Sequence, residues 1–513
     1  MDLVTANSAG RMPAPNVIDR VIRYFAPRTG LQRIRARQAA ELLLRNYEAA
    51  STGRRTQGWK RTSTDATAAA GAALGTLRDV ARDLVRNNGY AESALTTICD
   101  NVVGDGIVAK AANKNAKAQQ LWKAWADTTA CDADGKQTFS GLQHLVLRTV
   151  AESGEVLVRR RIRRPEDGLP IPIQLQVLEP DYLDIQKTGQ KLPNGGRILR
   201  GVEFDPLGRR VAYWLFPEHP GSEMAVGNAS VRVPAESVLH VFRQDRAGQV
   251  RGVSWFAPVL LRFKDLDDYE DASMMKQRIA ACLAVIITDP DGTSSPLGTV
   301  DSTAPTIDQL EPGMILNRGG SSVEVIQPPS VGEYGDFTKA QLRAIATGLG
   351  VTYEDLTGDY SQVNFSSGRM GRLRHWRRVS GWRWRMLIPQ FCDPAWAWAM
   401  EAASIMGAGA AQAAWTGEPM PMLDPNTEIL AINRELRSGL KSLSEALRER
   451  GYDPEEVLRE IAADNKFIDE LGLVLDSDPR TTSQAGQPRQ TSAAPAPEVE
   501  EPPKNDDEGK AAA

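Results

Sequence analysis

Residues 255–287 read WFAPVLLRFKDLDDYEDASMMKQRIAACLAVII, and this stretch organises the second half of the chain. Its apolar residues recur at helical spacing, which predicts one long helix from Trp255 to Ile287. Residues 289–331 are rich in glycine and proline and hold short apolar runs, so we expect a small β-containing insert there. A second amphipathic helix is predicted from Asp336 to Leu349. Two helices flanking a small insert are therefore the main architectural prediction.

The first of these helices carries an unusual run of acids. Five carboxylates fall within seven residues: Asp265, Asp267, Asp268, Glu270 and Asp271. Like charges three or four residues apart repel by roughly some tenths of a kcal/mol per pair, a cost that the sequence tolerates. The run is interpretable as a solvated helix face, as a contact to arginines of a neighbouring subunit, or as a charged wall to which DNA does not adhere. A carboxylate-dependent nuclease is disfavoured, because a two-metal site needs carboxylates that converge from separate elements.

A long polar segment separates the second helix from the next one. Residues 353–367 (YEDLTGDYSQVNFSS) are rich in Asp, Ser, Gly and Asn. Connections between helices usually run about two to eight residues, so this one is longer than a plain link needs. The length predicts a mobile element with a task, and an ordinary surface loop is the alternative.

The helix that follows, predicted from Gly368 to about Ile388, combines arginine with tryptophan. Its seven arginines, unaccompanied by any acid between 369 and 385, are Arg369, Arg372, Arg374, Arg377, Arg378, Arg383 and Arg385. Trp376, Trp382 and Trp384 are interleaved with them. Arginine with aromatics is typical of nucleic-acid binding. We favour a structural strut instead, with the tryptophans in the core and the arginines paired with carboxylates elsewhere, and we expect an inter-subunit helix before a stacking platform.

The rest of the chain divides by composition and periodicity. Residues 1–60 are Arg-rich and predict a partly ordered arm. Helices are predicted over 64–101, 114–126, 142–151 and 425–475. Short strands of an α+β domain begin at Glu155, with a hairpin at residues 205–208. The arginines at 159–164 resemble a nucleic-acid patch or line two strand faces, and their role stays open. The tail after Ser477 is predicted to be disordered.

Composition and motif searches exclude several classes of protein. The net charge of −4 argues against a uniformly basic nucleic-acid binder. No apolar run is long enough for a membrane span, no signal peptide is expected, and four dispersed cysteines fit a reducing compartment. The sequence has no HExxH, GxSxG or Walker motif, and its four histidines are scattered. We therefore predict no enzymatic activity, no cofactor and no metal.

Short motifs in a fixed order over residues 45–475 resemble the lambda-type portal family of tailed bacteriophages. They are NVVGDGI at 101–107, GEVLVR at 154–159, LEPDYL at 178–183, GVEFD at 201–205, VAYW at 211–214, HPG at 219–221, RGVSW at 251–255, DLDDYEDA at 265–272, GLGVTYEDLTGD at 348–359 and VNFSS at 363–367. Each motif is weak alone, and together they are specific.

The resemblance implies an α+β, mostly helical portal-type fold with wing, stem, clip and crown regions, assembled as a ring of typically twelve subunits. The regions so implied are an N-terminal arm (1–60), the wing with helices then strands (61–253), the first stem helix (254–288), the clip (289–335), the second stem helix (336–350), the tunnel loop (351–367), the long wing helix and its return (368–424), the crown (425–475) and a disordered tail (476–513).

The resemblance also implies a function. The ring would be the channel at one capsid vertex through which the terminase packages double-stranded DNA, through which the DNA later leaves, and to which the tail attaches. DNA would pass without sequence readout, while a separate ATPase supplies force. The implied partners are other copies of the chain, the terminase large subunit, a head–tail connector or adaptor, and the major capsid or scaffold protein, with no membrane. The implied location is the virion, and the host cytoplasm during assembly. Another phage head structural protein is the alternative.

Three sets of residues are expected to do this work. The tunnel loop would present Asp359, Tyr360, Ser361, Gln362 and Asn364 to DNA. The stem would carry the carboxylates Asp265, Asp267, Asp268, Glu270 and Asp271. The wing helix would present Arg372, Trp376, Arg377 and Trp384.

Overall fold

A computed structural model describes Arg54 and residues 57–59, 63–111, 115–223, 229–281, 334–473, 475 and 480, together with the backbone of residues 285–288, 315–317 and 322–325. Residues 1–65 and 66–513 form separate units, and the second contains the elements below. The predictions for the arm at 1–60 and the tail at 476–513 fall almost entirely outside the described residues.

The described helices are α1 (Ala66–Gly71), α2 (Leu74–Asn87), α3 (Gly89–Val102), α4 (Ala116–Ala126), α5 (Phe139–Ser153), α6 (Leu260–Ala281), α7 (Tyr334–Leu349), α8 (Tyr353–Thr357), α9 (Phe365–Trp382), α10 (Asp393–Ala403), α11 (Pro425–Arg437), α12 (Leu443–Glu449) and α13 (Pro454–Glu470). The described strands are β1 (Val108–Ala111), β2 (Glu155–Ile162), β3 (Ile173–Leu178), β4 (Gln190–Lys191), β5 (Arg197–Leu199), β6 (Val202–Phe204), β7 (Arg210–Leu215), β8 (Val231–Pro234), β9 (Val238–Phe242), β10 (Val285–Thr288), β11 (Ile315–Asn317), β12 (Ser322–Val325) and β13 (Ala413–Thr416).

The predicted single helix over residues 64–101 is wrong, because the chain forms α1, α2 and α3 there. Asn88 is extended, and its side chain accepts a hydrogen bond from the Ala91 backbone N–H at 3.1 Å. Asparagine satisfies a free helix N–H better at an N-cap than inside a helix, so the sequence restarts the helix at this residue. The predicted helices α4 and α5 are confirmed, and α5 ends at Gly154 with φ of 96°.

The predicted run of strands forms two antiparallel sheets. In one sheet β2 lies between β3 and β9, and in the other the strands β4 to β8 follow one another in chain order. The predicted hairpin at 205–208 is confirmed, since β6 pairs with β7 across it and Gly208 has φ of 83°. The pairing of β1 with β13 was not predicted, because these short strands lie about 300 residues apart in the chain.

A buried polar cluster joins the two sheets at the start of β2. The Glu155 carboxylate accepts hydrogen bonds from the Arg251 guanidinium at 2.5 and 2.8 Å and from the Gly252 N–H at 2.7 Å. Arg210 of β7 donates to His240 Nδ1 at 2.9 Å, so His240 Nε2 carries the proton and donates to Glu155 at 2.9 Å. Burial lowers the pKa of His240 to about 4, which keeps the ring neutral. Burial opposes ionisation of Glu155, but Arg251 and His240 hold the pKa of this carboxyl well below its usual range.

An aromatic core fills the space between α4, α5 and α10. The Trp122 ring lies 5.3 Å from Trp125, 5.0 Å from Phe139 and 4.7 Å from Trp396, measured between ring centroids. Phe391 stacks on Phe139, with 5.3 Å between the ring centroids. These side chains are buried, so the cluster is the centre of the described core.

The first of the two predicted long helices is shorter than expected. The prediction of one helix from Trp255 to Ile287 is wrong at both ends, since α6 spans Leu260–Ala281 and the residues Val285–Thr288 form β10. The sequence VIIT is β-branched throughout, which favours a strand over a helix. Strand β10 pairs with β11 in parallel and with β12 antiparallel, which confirms that the insert contains β-structure.

The second predicted helix, α7, packs against α6. The Tyr269 ring lies 4.3 Å from Phe337 and stacks on Tyr334 at 5.9 Å. Arg262 donates to Gln341 at 3.0 Å across the same pair. The two helices therefore lie side by side, with the β10–β12 sheet between them in the chain.

A long helical run replaces the helix predicted over Gly368–Ile388. It begins three residues earlier, at Phe365, and it continues as a π-helix over Arg383–Cys392 and as α10 to Ala403. Pro389 lies inside the π-helical segment and has no N–H for the regular α-helical bond, so the wider turn is formed there.

The predicted helical block at 425–475 is confirmed as α11, α12 and α13. Asp424, Ser442 and Asp453 cap their N-termini, and Pro425 and Pro454 occupy first-turn positions as predicted. No helix among the described residues has the length and apolar character needed to cross a bilayer.

Candidate functional site

The polar segment between α7 and α9 is tied together by its own side chains. The Thr352 hydroxyl caps α8, and Gly358, with φ of 70°, ends it. Asp359 then accepts hydrogen bonds from the Tyr353 hydroxyl and the Ser361 N–H, both at 3.1 Å. These hydrogen bonds, led by the one from Ser361, lower the pKa of Asp359. The segment predicted as a loop over 352–367 is therefore helical at both ends, because Thr and Asn supply caps.

The residues predicted to face DNA lie at the centre of this segment, between α8 and α9. Tyr360 has 59% of its surface exposed, and Ser361, Gln362 and Asn364 are also exposed. Asp359 is half-buried and lies 3.9 Å from the Lys339 ammonium. The Asn364 side chain accepts from the Ser367 N–H at 2.8 Å and so caps α9. Ser361 and Gln362 therefore present polar side chains at the exposed tip.

The acidic run on α6 is distributed around the helix. Asp265, Asp268 and Asp271 are exposed, whereas Asp267 is half-buried and accepts from the Asn88 amide at 2.8 Å. Glu270 faces the Tyr334 hydroxyl at 3.5 Å. Burial raises the pKa of both Asp267 and Glu270. The run has an inner side, fixed to α3 and α7, and an outer side that faces solvent in the single chain.

The tryptophans of the Arg/Trp helix are divided between the core and the surface. Trp376 packs against the core, and Trp382 lies 4.9 Å from Trp255 between ring centroids. Trp384 is exposed, which the sequence did not predict. The strut interpretation therefore holds for two of the three rings.

The arginines of this helix do not pair with carboxylates as predicted. Arg383 is buried and donates instead to the backbone carbonyls of Asn101 at 3.2 Å, Val102 at 2.8 Å and Glu418 at 2.8 Å. In the part of the chain that the structure describes, no ion pair forms at Arg369, Arg372, Arg374, Arg377, Arg378 or Arg385. Backbone carbonyls therefore take the place of the expected carboxylate at Arg383. Two of them belong to the end of α3 and the third belongs to Glu418.

The arginine cluster at 159–164 lies on β2 and its end. Arg160 pairs with Glu401 at 2.5 Å and lies over the Trp398 ring at 5.5 Å. Arg161 and Arg163 donate to Gln176 and Gln174 of β3. Several of these side chains therefore have partners within the subunit.

One group of metal-ligand types occurs among the described residues. Glu179, Asp181 and His219 each place one ligand atom within 4.8 Å of the others. Arg78 and Arg82 donate to Asp181 at 2.9 and 2.7 Å, so cationic side chains already neutralise this carboxylate. The group is an ion-pair network that attaches α2 to the segment after β3.

Comparison with known proteins connects these features to one family. The family model described as phage portal protein, lambda family, matches residues 52–383, more than half of the chain. The match includes α6, the β10–β12 strands, α7, the polar segment and α9. The chain is also 26% identical over 435 residues to the probable portal protein of Halomonas phage phiHAP-1, covering 78% of this chain and 81% of that one.

A second relative is also described as a portal protein, and one solved structure is similar in fold. Portal protein B of Escherichia phage lambda is 24% identical over 443 residues, covering 74% of this chain and 81% of that one. The solved neck of a native GTA particle, computed with C12 symmetry, matches 75% of this chain and 94% of its own at 16% identity, with a TM-score of 0.43. From the family match and the named relatives, this protein is a phage portal protein of the lambda family.

Proposed function

We propose that this chain forms the ring-shaped channel at one capsid vertex, through which double-stranded DNA is packaged and later ejected. The observation that carries the proposal is the family match over 52–383, which spans two packed helices, a small sheet between them and an exposed polar segment after them. In this assignment α6 and α7 form the stem, β10 to β12 belong to the clip, and α11 to α13 form the crown. Residues 61–253 and the helical run from 368 form the wing.

Each region has a partner in this proposal. The clip docks the terminase large subunit during packaging and a head–tail connector afterwards. The outer surface of the ring contacts the major capsid or scaffold protein. The protein is then a virion component at the portal vertex, assembled in the host cytoplasm.

DNA passes this ring without being held tightly. The tip of the segment between α8 and α9 offers the neutral side chains Tyr360, Ser361 and Gln362, beside the carboxylate of Asp359. Neutral polar groups with one acid give phosphates a contact surface but no strong charge attraction. The chain has no nucleotide-binding motif, so a separate ATPase supplies the force.

Ring formation is the first expected result. Twelve copies of the 56.0 kDa chain give a particle of about 670 kDa with a central hole. Native mass spectrometry measures the mass, and negative-stain images show the hole. A monomer, an extended shell, or ATP turnover by the purified protein alone contradicts the proposal.

Shortening the exposed tip is expected to impair DNA handling and not assembly. Removal of Ser361 and Gln362 leaves the caps at Thr352 and Asn364 in place, so α8 and α9 still form. We expect rings of unchanged mass that package or retain less DNA, as measured by nuclease-protected DNA in assembled heads. Unchanged DNA protection with intact rings would show that this tip does not face the DNA.

A further inference from the structure

The exposed side of α6 carries a regular pattern. Leu261, Asp265, Asp268, Ala272 and Met275 follow one another at spacings of four, three, four and three residues, and all five are exposed. Leu261 and Met275, at the two ends, have 80% and 57% of their surface exposed. We name these five residues the acidic ridge. In chain order, its residues are apolar, acidic, acidic, small and apolar.

The exposed side of the Arg/Trp helix carries the same pattern with the opposite charge. Met370, Arg374, Arg377, Gly381 and Trp384 follow at the same spacings of four, three, four and three residues. Met370 and Trp384, at the two ends, have 70% and 50% of their surface exposed. We name these five residues the arginine ridge. In chain order, its residues are apolar, basic, basic, small and apolar.

Neither ridge is a normal solvent face. A surface helix of a single chain confines its apolar residues to the buried side, and a helix that is apolar on both sides is covered on both sides. In α6 the buried side already holds Phe263 and Leu266, and in α9 it holds His375 and Val379. The apolar ends of the two ridges therefore lie on a second side that the described chain leaves uncovered.

The charges at the centres of the ridges have no ion-pair partner on another element among the described residues. Arg374 and Arg377 have no ion pair among the described residues, and neither does Asp265. Asp268 pairs at 2.6 Å with Lys264 one turn away on its own helix, a contact that solvent screens. Two opposite charge sets on one chain, neither of them paired with another element of the described chain, indicate contact between different copies.

We propose that the acidic ridge of one subunit packs in parallel against the arginine ridge of its neighbour in the ring. This inference rests on the proposed ring and identifies the contact that builds it. In the parallel register, Asp265 faces Arg374 and Asp268 faces Arg377. The small residues Ala272 and Gly381 face each other, beside the Arg385 side chain that lies next to Gly381. The apolar residues meet at both ends.

Geometry supports the parallel register. Each ridge spans fifteen residues, and its fourteen steps at a rise of 1.5 Å per residue cover about 21 Å. Alternating spacings of four and three average 3.5 residues, the repeat of helices that pack at about 20°. In the antiparallel register, Asp268 and Arg377 form the single remaining pair of opposite charges. Ala272 then faces Arg374, and Gly381 faces Asp265.

Two different ridges on one chain make a heterologous contact, which is the kind of contact that builds a ring when its rotation closes. The arginine ridge is less suited to DNA, because phosphates would leave the exposed apolar side chains of Met370 and Trp384 uncovered. DNA contact by this ridge is nevertheless a distinct outcome of the experiment below.

Reversal of charge tests the contact. The variant Asp265→Arg/Asp268→Arg and the variant Arg374→Asp/Arg377→Asp should each remain at the subunit mass of 56.0 kDa. The variant with all four changes should recover the ring mass, because every pair is opposite in sign again. Mixed with unmodified protein, it should form separate rings, since each mixed contact would bring like charges together. Native mass spectrometry measures the assembled mass of the unmodified protein and of the three variants. Far-UV circular dichroism checks that each is folded.

A matched control changes charges elsewhere. The variant Asp79→Arg/Arg86→Asp, at exposed positions seven residues apart on α2, should assemble as the unmodified protein does.

If the unmodified chain forms no ring, the proposed function fails. If it forms rings and either two-residue ridge variant forms them equally well, the ridge contact is wrong. Rings of normal mass that bind less duplex DNA in the Arg374→Asp/Arg377→Asp variant would assign the arginine ridge to DNA and overturn the inference. A folded four-residue variant that stays at subunit mass would overturn the register.

Discussion

Replacing Arg251 with methionine is expected to lower the free energy of unfolding by about 3–5 kcal/mol, because it leaves the buried Glu155 carboxylate without its main counter-charge. Arg251 and Glu155 each have about 1% of their side-chain surface exposed, so water cannot replace the lost contacts. The same change frees the Arg200 carbonyl, which accepts from Arg251 at 3.0 Å. Urea unfolding followed by tryptophan fluorescence measures the loss.

Two further variants separate the charge effect from the packing effect. Adding Glu155→Gln to Arg251→Met should recover part of the loss, since the remaining side chain is neutral. The exposed Arg209 pairs with Asp205 four residues away, and Arg209→Met should leave stability unchanged because solvent screens that pair. A loss at Arg251 no larger than that at Arg209 would show that the buried pair does not stabilise the fold.

Replacing Trp122 with alanine is expected to cost about 3–5 kcal/mol, which is typical of removing a large ring from a packed core. Trp122 is buried and contacts four other aromatic rings, including Trp396 at 4.7 Å and Trp415 at 6.2 Å between centroids. Trp396 and Trp415 belong to segments nearly 300 residues further along the chain. The change should therefore loosen α4 from α10 and β13 together, which hydrogen exchange at these elements would detect.

Trp384 provides the matched control for Trp122. Half of its surface is exposed, so Trp384→Ala should alter the stability of a single subunit by no more than about 0.5 kcal/mol. The same variant should weaken ring formation if the arginine ridge contacts a neighbouring subunit. Equal losses of subunit stability at Trp122 and Trp384 would contradict the core assignment.

Local sequence determined much of the segmentation of this chain. Asp424–Pro425 and Asp453–Pro454 start helices because an acid accepts from free N–H groups and proline fits the first turn, and both effects act within a few residues. The hairpin at 205–208 and the helix end at Gly154 have equally local causes. The short motifs in their fixed order indicated the family, and the comparisons confirmed it.

Tertiary structure alone decided which charges are buried and what they contact. The seven arginines at 369–385 look alike in sequence, yet Arg383 enters the core because the carbonyls of Asn101, Val102 and Glu418 converge on it. The pairing of Glu155 with Arg251 and the pairing of β1 with β13 join residues about 100 and 300 positions apart. No local pattern encodes such contacts, since they depend on where whole segments pack. The residue pattern of the ridges, on α6 and on the helical run from α9 to Trp384, is present in the sequence. Only the fold showed which side of each helix stays exposed.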